Sequence, residues 1–165
     1  DLAGMAGKPM PDAWREGRRL AFDIRCAPLR RLMRALAPWP DAECGSRPYA
    51  KGAELDVYLV DAMRQHPQGL PAGLDRMRFR ESLYLAWLSD RLAPAATLHV
   101  DATTLASFRR TTAWRGRQRQ TVPDAVFHGE LTITDVNSFS RLLAGGVGRH
   151  AAYGFGMLLL RPQRG

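Results

Sequence analysis

Lysine, cysteine and long apolar runs are scarce in this 165-residue chain, and each scarcity excludes something. The two cysteines, Cys26 and Cys44, have no CxxC spacing. That argues against a disulfide framework and a zinc site, and for two reduced thiols in a cytoplasmic protein. The longest apolar run, around Met157 to Leu160, is too short to span a bilayer, so no membrane partner is expected. The opening DLAGMAGKPMPDAW has neither a basic n-region nor an apolar h-region, so it does not read as a signal peptide. Asp1 is not an initiator methionine, and the chain is expected to begin partway through a longer protein. His66, His99, His128 and His150 show no H-x-E or H-E-x-x-H spacing, so no metal is expected. A G-x-S-x-G elbow, a paired-carboxylate arrangement and a Walker A lysine are also missing.

What is present is arginine and an ordinary apolar content. Hydrophobic residues make up 45% of the chain, enough for a real core and against wholesale disorder. Of 24 basic residues only Lys8 and Lys51 are lysines, and the formal net charge is +8. Residues 1–104 carry 15 basic and 13 acidic side chains, whereas 105–165 carry nine arginines against Asp124, Glu130 and Asp135. A basic third with few acids points to a polyanion, most simply nucleic acid. A GC-rich genome would also favour arginine over lysine, but would not cluster it.

Residues 1–18, rich in Gly, Pro and charge, read as a linker or approach segment. Leu20, Phe22, Ile24 and Cys26 alternate with polar residues, predicting a half-buried strand that Pro28 ends. Leu29–Leu36 reads as a short basic helix and 38–50 as a loop. Helical spacing then predicts helices over Glu54–Gln65 and Glu81–Leu92, with Tyr84 and Trp87 as core residues of the second. Period two returns from Leu98 through the basic segment Ala106–Trp114 and, after an exposed turn at Arg115–Gln120, over Val122–Thr134. Asp135 is placed to cap a helix that Gly145 ends, and Tyr153–Leu160 reads as a buried strand. With the middle helices merged, the order is β-α-β-β-α-β, the ferredoxin-like order of an α+β fold. RRM modules and many unrelated proteins share it, so the order alone assigns no function.

Two stretches could carry chemistry. The first is GGVGRHAAYGFG over 145–156, in which Gly146, Gly148 and Ala151 satisfy G-x-G-x-x-A. A dinucleotide site needs a strand before those glycines and a helix after them; here the order is reversed. What remains is a glycine turn whose backbone can approach a phosphate, beside Arg149 and His150, or else a tight helix-to-strand connection with no ligand. His150 is the one histidine local to that turn that acid-base work could use. The second stretch is a hairpin with Arg109, Arg110, Arg115, Arg117 and Arg119, interleaved with Phe108 and Trp114. Its guanidiniums could bridge phosphates of a duplex or hairpin RNA, or could simply guard an edge strand against aggregation.

The run GGVGRHAAYGFGMLLLRP resembles the signature of CRISPR repeat-processing endoribonucleases, specifically the CasE type of the type I-E Cascade complex. KPMPDAW with GRRLAFDIRCAPLRR, KGAELDVYLVDA, RESLYLAWLSDRL, SFRRTTAWRG and DAVFHGELTITD look similar in the same order, so the resemblance covers nearly the whole chain. It implies two tandem ferredoxin-like domains and metal-independent cleavage of a repeat RNA stem-loop. In that chemistry the 2′-OH attacks the scissile phosphate, leaving a 2′,3′-cyclic phosphate and a 5′-OH. The enzyme then keeps the hairpin as the 3′ cap of the guide RNA, beside other Cascade subunits and without a small-molecule cofactor.

The family's acid-base histidine lies on the first helix of the N-terminal domain. Segments matching the second domain begin around residue 8, so that domain and its histidine are expected to lie outside this chain, and the catalytic residues are unknown. None of the four histidines here occupies that position. The resemblance thus carries over RNA-holding roles only: Gly145, Gly146, Gly148, Arg149, Tyr153, Gly154 and Gly156 in the turn, with His150 beside them, and the hairpin arginines. Residues 19–165 are then the C-terminal RNA-binding domain. The competing expectations are a non-catalytic RNA-hairpin-binding subunit of the same complex, or an unrelated basic ferredoxin-like protein.

Overall fold

The alternation of RLAFDIRC becomes β1 (Arg19–Cys26), whose inward residues Leu20, Phe22, Ile24 and Cys26 are all buried. Fully burying side chains such as Phe22 and Ile24 is worth about 1.5–3 kcal/mol each, which fixes the strand's register against a one-residue slip. This is a computed structural model that describes residues 14–40, 47–115, 118–150 and 154–162, without the side chains of 113–120. After β1 come β2 (Leu29–Arg31), β3 (Glu54–Asp56), α1 (Val57–Gln65), α2 (Arg76–Leu92), β4 (Ala96–Leu98), a single 3₁₀ turn, β5 (Thr104–Arg115), β6 (Gln118–Ile133), α3 (Val136–Gly145) and β7 (Leu158–Pro162).

The main sheet is antiparallel in the order β4-β6-β1-β7, with β5 also paired to β6. Taking β4 and β5 as one interrupted strand, this is the ferredoxin-like arrangement predicted from the element order. Phe127, Leu131 and Ile133 of β6 join β1 on the covered face with Tyr84, Trp87, Leu88 and Leu92 of α2 and Phe139 of α3. Tyr84 and Trp87 are core residues, as expected. Each helix starts on an aspartate whose carboxylate takes backbone amides of the first turn: Asp56, Asp75 and Asp135. Trp14 and Gly17 of the approach segment are tied down too, Trp14 edge-on to Phe139 and the Gly17 amide donating to the Ile133 carbonyl. Among the described residues no helix is long and apolar enough to cross a membrane.

Five local expectations are corrected. The turn expected at Arg115–Gln120 is shorter, because β5 runs to Arg115 and pairs there with Gln118, where β6 begins. Leu29–Leu36 is not a helix, because Leu29–Arg31 pairs antiparallel with Glu54–Asp56 and Leu36 bridges Tyr49. Glu54–Asp56 is therefore strand, and α1 starts only at Val57. α2 begins at Arg76 rather than Glu81, because Asp75 caps a first turn too basic to show an apolar stripe. The last strand is Leu158–Pro162, not Tyr153–Leu160, and it is a partly exposed edge rather than a buried strand. Gly154 and Gly156 have φ of +79° and +84°, which no extended strand accommodates.

Candidate nucleic-acid interface

β5 and β6 stay paired from Thr104↔His128 out to Arg115↔Gln118, whereas β1 follows β6 only as far as Cys26↔Ala125. The ribbon therefore projects past the end of β1. A register shift between Leu105 and Ser107 marks the bend at its root, where an extra residue increases strand twist. Alternation sends neighbouring side chains to opposite faces. Phe108 packs inward, edge-on to Tyr84 with the Arg80 guanidinium 4.0 Å from its ring centroid. Arg110, on that same face, lines a cavity of about 120 Å³ with Glu54, Thr121 and Val122. Arg109 points the other way. Arg115 and Arg119 belong to the ribbon's outer strands, but their side chains, like all of Arg117, lie outside the described residues.

On Arg109's face the root of the ribbon closes over Asp124, whose side chain is only 2% exposed. Arg25 Nε and Nη2 donate to its two oxygens at 2.8 Å each, Arg109 Nε donates at 2.7 Å and Thr111 Oγ1 at 3.0 Å. The Arg25 hydrogen bonds, with those from Arg109 and Thr111, hold the Asp124 carboxyl well below the usual carboxylate range despite its burial. Arg25 also reaches the glycine turn: its guanidinium sits 4.8 Å from the Phe155 ring centroid, and its carbonyl accepts from the Gly156 amide at 2.7 Å. Phe155 packs with Ala27, Leu29 and Val122, the last from the ribbon itself. The ribbon and the glycine turn, separate segments of the sequence, thus share one end of the sheet and one arginine.

Within the turn the glycines have different reasons. A Cβ on Gly156 would lie 2.5 Å from the Val147 carbonyl oxygen, and one on Gly148 would lie 3.1 Å from the Trp87 ring. Both positions are fixed by close packing of the fold itself. A Cβ on Gly145 or Gly154 would meet nothing within 4 Å. Gly146 is the C-cap of α3, its amide donating to the Leu142 carbonyl. Tyr153 lies outside the described residues. Arg149, expected as a phosphate contact, donates to the Glu54 carboxylate, and His150 Nε2 lies 3.6 Å from the other Glu54 oxygen.

A family model of CRISPR associated proteins matches residues 2–162. The chain belongs to that family. No curated protein matches it significantly. Among solved structures, the CRISPR endoribonuclease Cse3 bound to a 19-nucleotide RNA superposes with a TM-score of 0.61 at 22% identity, over 94% of this chain and 61% of that one. Cas6e from Escherichia coli K-12 gives 0.60 at 19% identity, over 94% and 66%. A CRISPR RNA-guided surveillance complex gives 0.52 at 22% identity, over 93% and 63%. These likenesses show the ferredoxin-like fold. The chain spans about three-fifths of the length of the solved structures it matches.

In this CRISPR associated chain the histidines other than His150 stand apart from the glycine turn. His128 Nδ1 pairs with Asp23 at 2.5 Å on the open face of the sheet, where Asp23 also takes Arg161. His99 Nε2 meets Thr132 Oγ1 at 2.7 Å, and the His66 carbonyl accepts from Trp39 Nε1. Among the described residues no group of three or more His, Cys, Asp or Glu could hold a metal ion. Sequence reasoning missed three residues that organise the site: Arg25, Asp124 and Glu54. Asp124 had a signal, as one of three acids in a strongly basic third of the chain. Arg25 and Glu54 had none, since their partners lie 95 or more residues away.

Proposed function

We propose that this chain is the RNA-holding C-terminal part of a CRISPR RNA-processing endoribonuclease. Residues 19–165 form its second ferredoxin-like domain and 1–18 the approach to it. The observation that carries the reading is the joining of the arginine ribbon and the glycine turn through Arg25 at one end of the sheet. A ribbon of that length and charge suits the groove of an RNA stem, and the turn suits the adjoining backbone. The likeness to Cse3 bound to RNA and to a surveillance complex supports a CRISPR repeat stem-loop as ligand and Cascade subunits as partners; the proposed location is the cytoplasm.

The proposed reaction is metal-independent attack by the ribose 2′-OH on the neighbouring phosphate, with this chain's part being to hold the stem so that the scissile phosphate is fixed. Incubating the full-length protein with end-labelled repeat RNA in EDTA tests it. A 2′,3′-cyclic phosphate product with the stem-loop retained is the expected result. Retention without product would overturn the enzyme reading and leave an RNA-hairpin-binding subunit.

A further inference from the structure

Resting on the RNA reading above, we infer that Glu54 sets specificity at this surface by occupying Arg149 and His150 until a correctly seated phosphate displaces it. Glu54 stands on β3, between the two halves of the interface. One of its oxygens accepts from Arg149 Nη1 and the other lies 3.6 Å from His150 Nε2. The same residue lines the cavity beside Arg110 and Thr121 at the ribbon root. A single carboxylate therefore pairs with Arg149 of the glycine turn and borders the cavity that Arg110 of the ribbon also lines.

A guanidinium binds carboxylate and phosphate through the same forked geometry, so Arg149 could exchange one for the other with little rearrangement. The exchange costs little because the pair is partly open to solvent, the Arg149 side chain being 53% and the Glu54 side chain 23% exposed, and pairs near the surface contribute little. The neighbouring acids have fixed roles, Asp56 buried against Arg80 and Asp61 paired with Arg30. Glu54 is thus placed to act as the exchangeable anion. An RNA gripped only at the turn would gain Arg149 but give up the Glu54 pair and meet its negative charge. An RNA also held along the ribbon has further interactions to offset that penalty. Discrimination of this kind comes from a built-in repulsive element rather than from a better attractive one.

The test compares Glu54→Gln, which keeps shape and removes charge, with wild type in binding two probes, the repeat stem-loop and oligouridylate of equal length. The oligouridylate Kd should fall about two- to fivefold, the range of one surface ion pair, and the stem-loop Kd by less. The stem-loop preference therefore narrows. In an Arg149→Ala background the same substitution should improve oligouridylate binding clearly less than it does in wild type, with thermal melts confirming an intact fold in every variant. Weaker binding of both RNAs by Glu54→Gln would overturn the inference, making Glu54 a support for Arg149. A gain of undiminished size without Arg149 would also overturn it, as an effect of overall charge. Wild-type protein binding neither RNA would instead reject the RNA reading itself.

Discussion

Arg25 grips both carboxylate oxygens of Asp124 at 2.8 Å, joining two strands 99 residues apart. Asp124→Asn keeps the shape but removes the charge-assisted bonds from Arg25 and Arg109, which should cost about 1–3 kcal/mol at neutral pH. Because Asp124 titrates below its unfolded value, its contribution is complete above about pH 4 and drains away as the pH falls towards the depressed native value. The Tm difference between wild type and variant should be widest near neutrality and close on acidification. A gap independent of pH would show that packing, not the ionised carboxylate, holds the ribbon root.

Arg80 is the one buried arginine among the described residues. Its Nη1 donates to Asp56 at 3.0 Å and to the Tyr84 hydroxyl at 2.9 Å, and its guanidinium centre lies 3.8 Å from the Tyr58 ring centroid. Arg80→Ala strands the Asp56 carboxylate and should cost about 3–5 kcal/mol by urea denaturation, whereas Tyr84→Phe, which removes one hydrogen bond to that carboxylate, should cost about 1.5–3 kcal/mol. Equal destabilisation would mean that the phenol, not the ion pair, dominates.

In the glycine turn, Gly156→Ala forces a Cβ to within 2.5 Å of a carbonyl oxygen, while Gly154→Ala meets open space with only its positive φ to resist it. The expected costs are more than about 2 kcal/mol and about 1 kcal/mol respectively. Denaturation midpoints that coincide would contradict this division. Gly148→Ala is a poor probe of ligand binding, since it also presses on Trp87.

Along the ribbon, Arg115→Ala with Arg117→Ala should weaken RNA binding and reduce the slope of log K against log salt by roughly 0.7–0.9 for each phosphate that the variant no longer neutralises. An unchanged slope would mean that these arginines face solvent.

How far the sequence reached follows from the range of the interactions involved. β1, β6 and α3 were legible because alternation, helical spacing and the Asp135 cap are local signals. β2 and β3 were not: three residues each, they exist only because Arg31 finds Glu54 across a loop. Arg109 and Arg110 read alike in sequence, yet the strand pleat sends one to Asp124 and the other to a cavity wall beside Glu54. Arg149 read as a ready phosphate contact because nothing nearby in sequence announces its carboxylate partner.

Among the described residues, the ribbon's ladder beyond Thr111↔Val122 is made only between β5 and β6. Segments that share no backbone pairing with the rest of a sheet can change length without disturbing its register. The outer ribbon is therefore a module, and transplanting it between related chains should carry a preference for one stem over another while leaving the host's folding untouched.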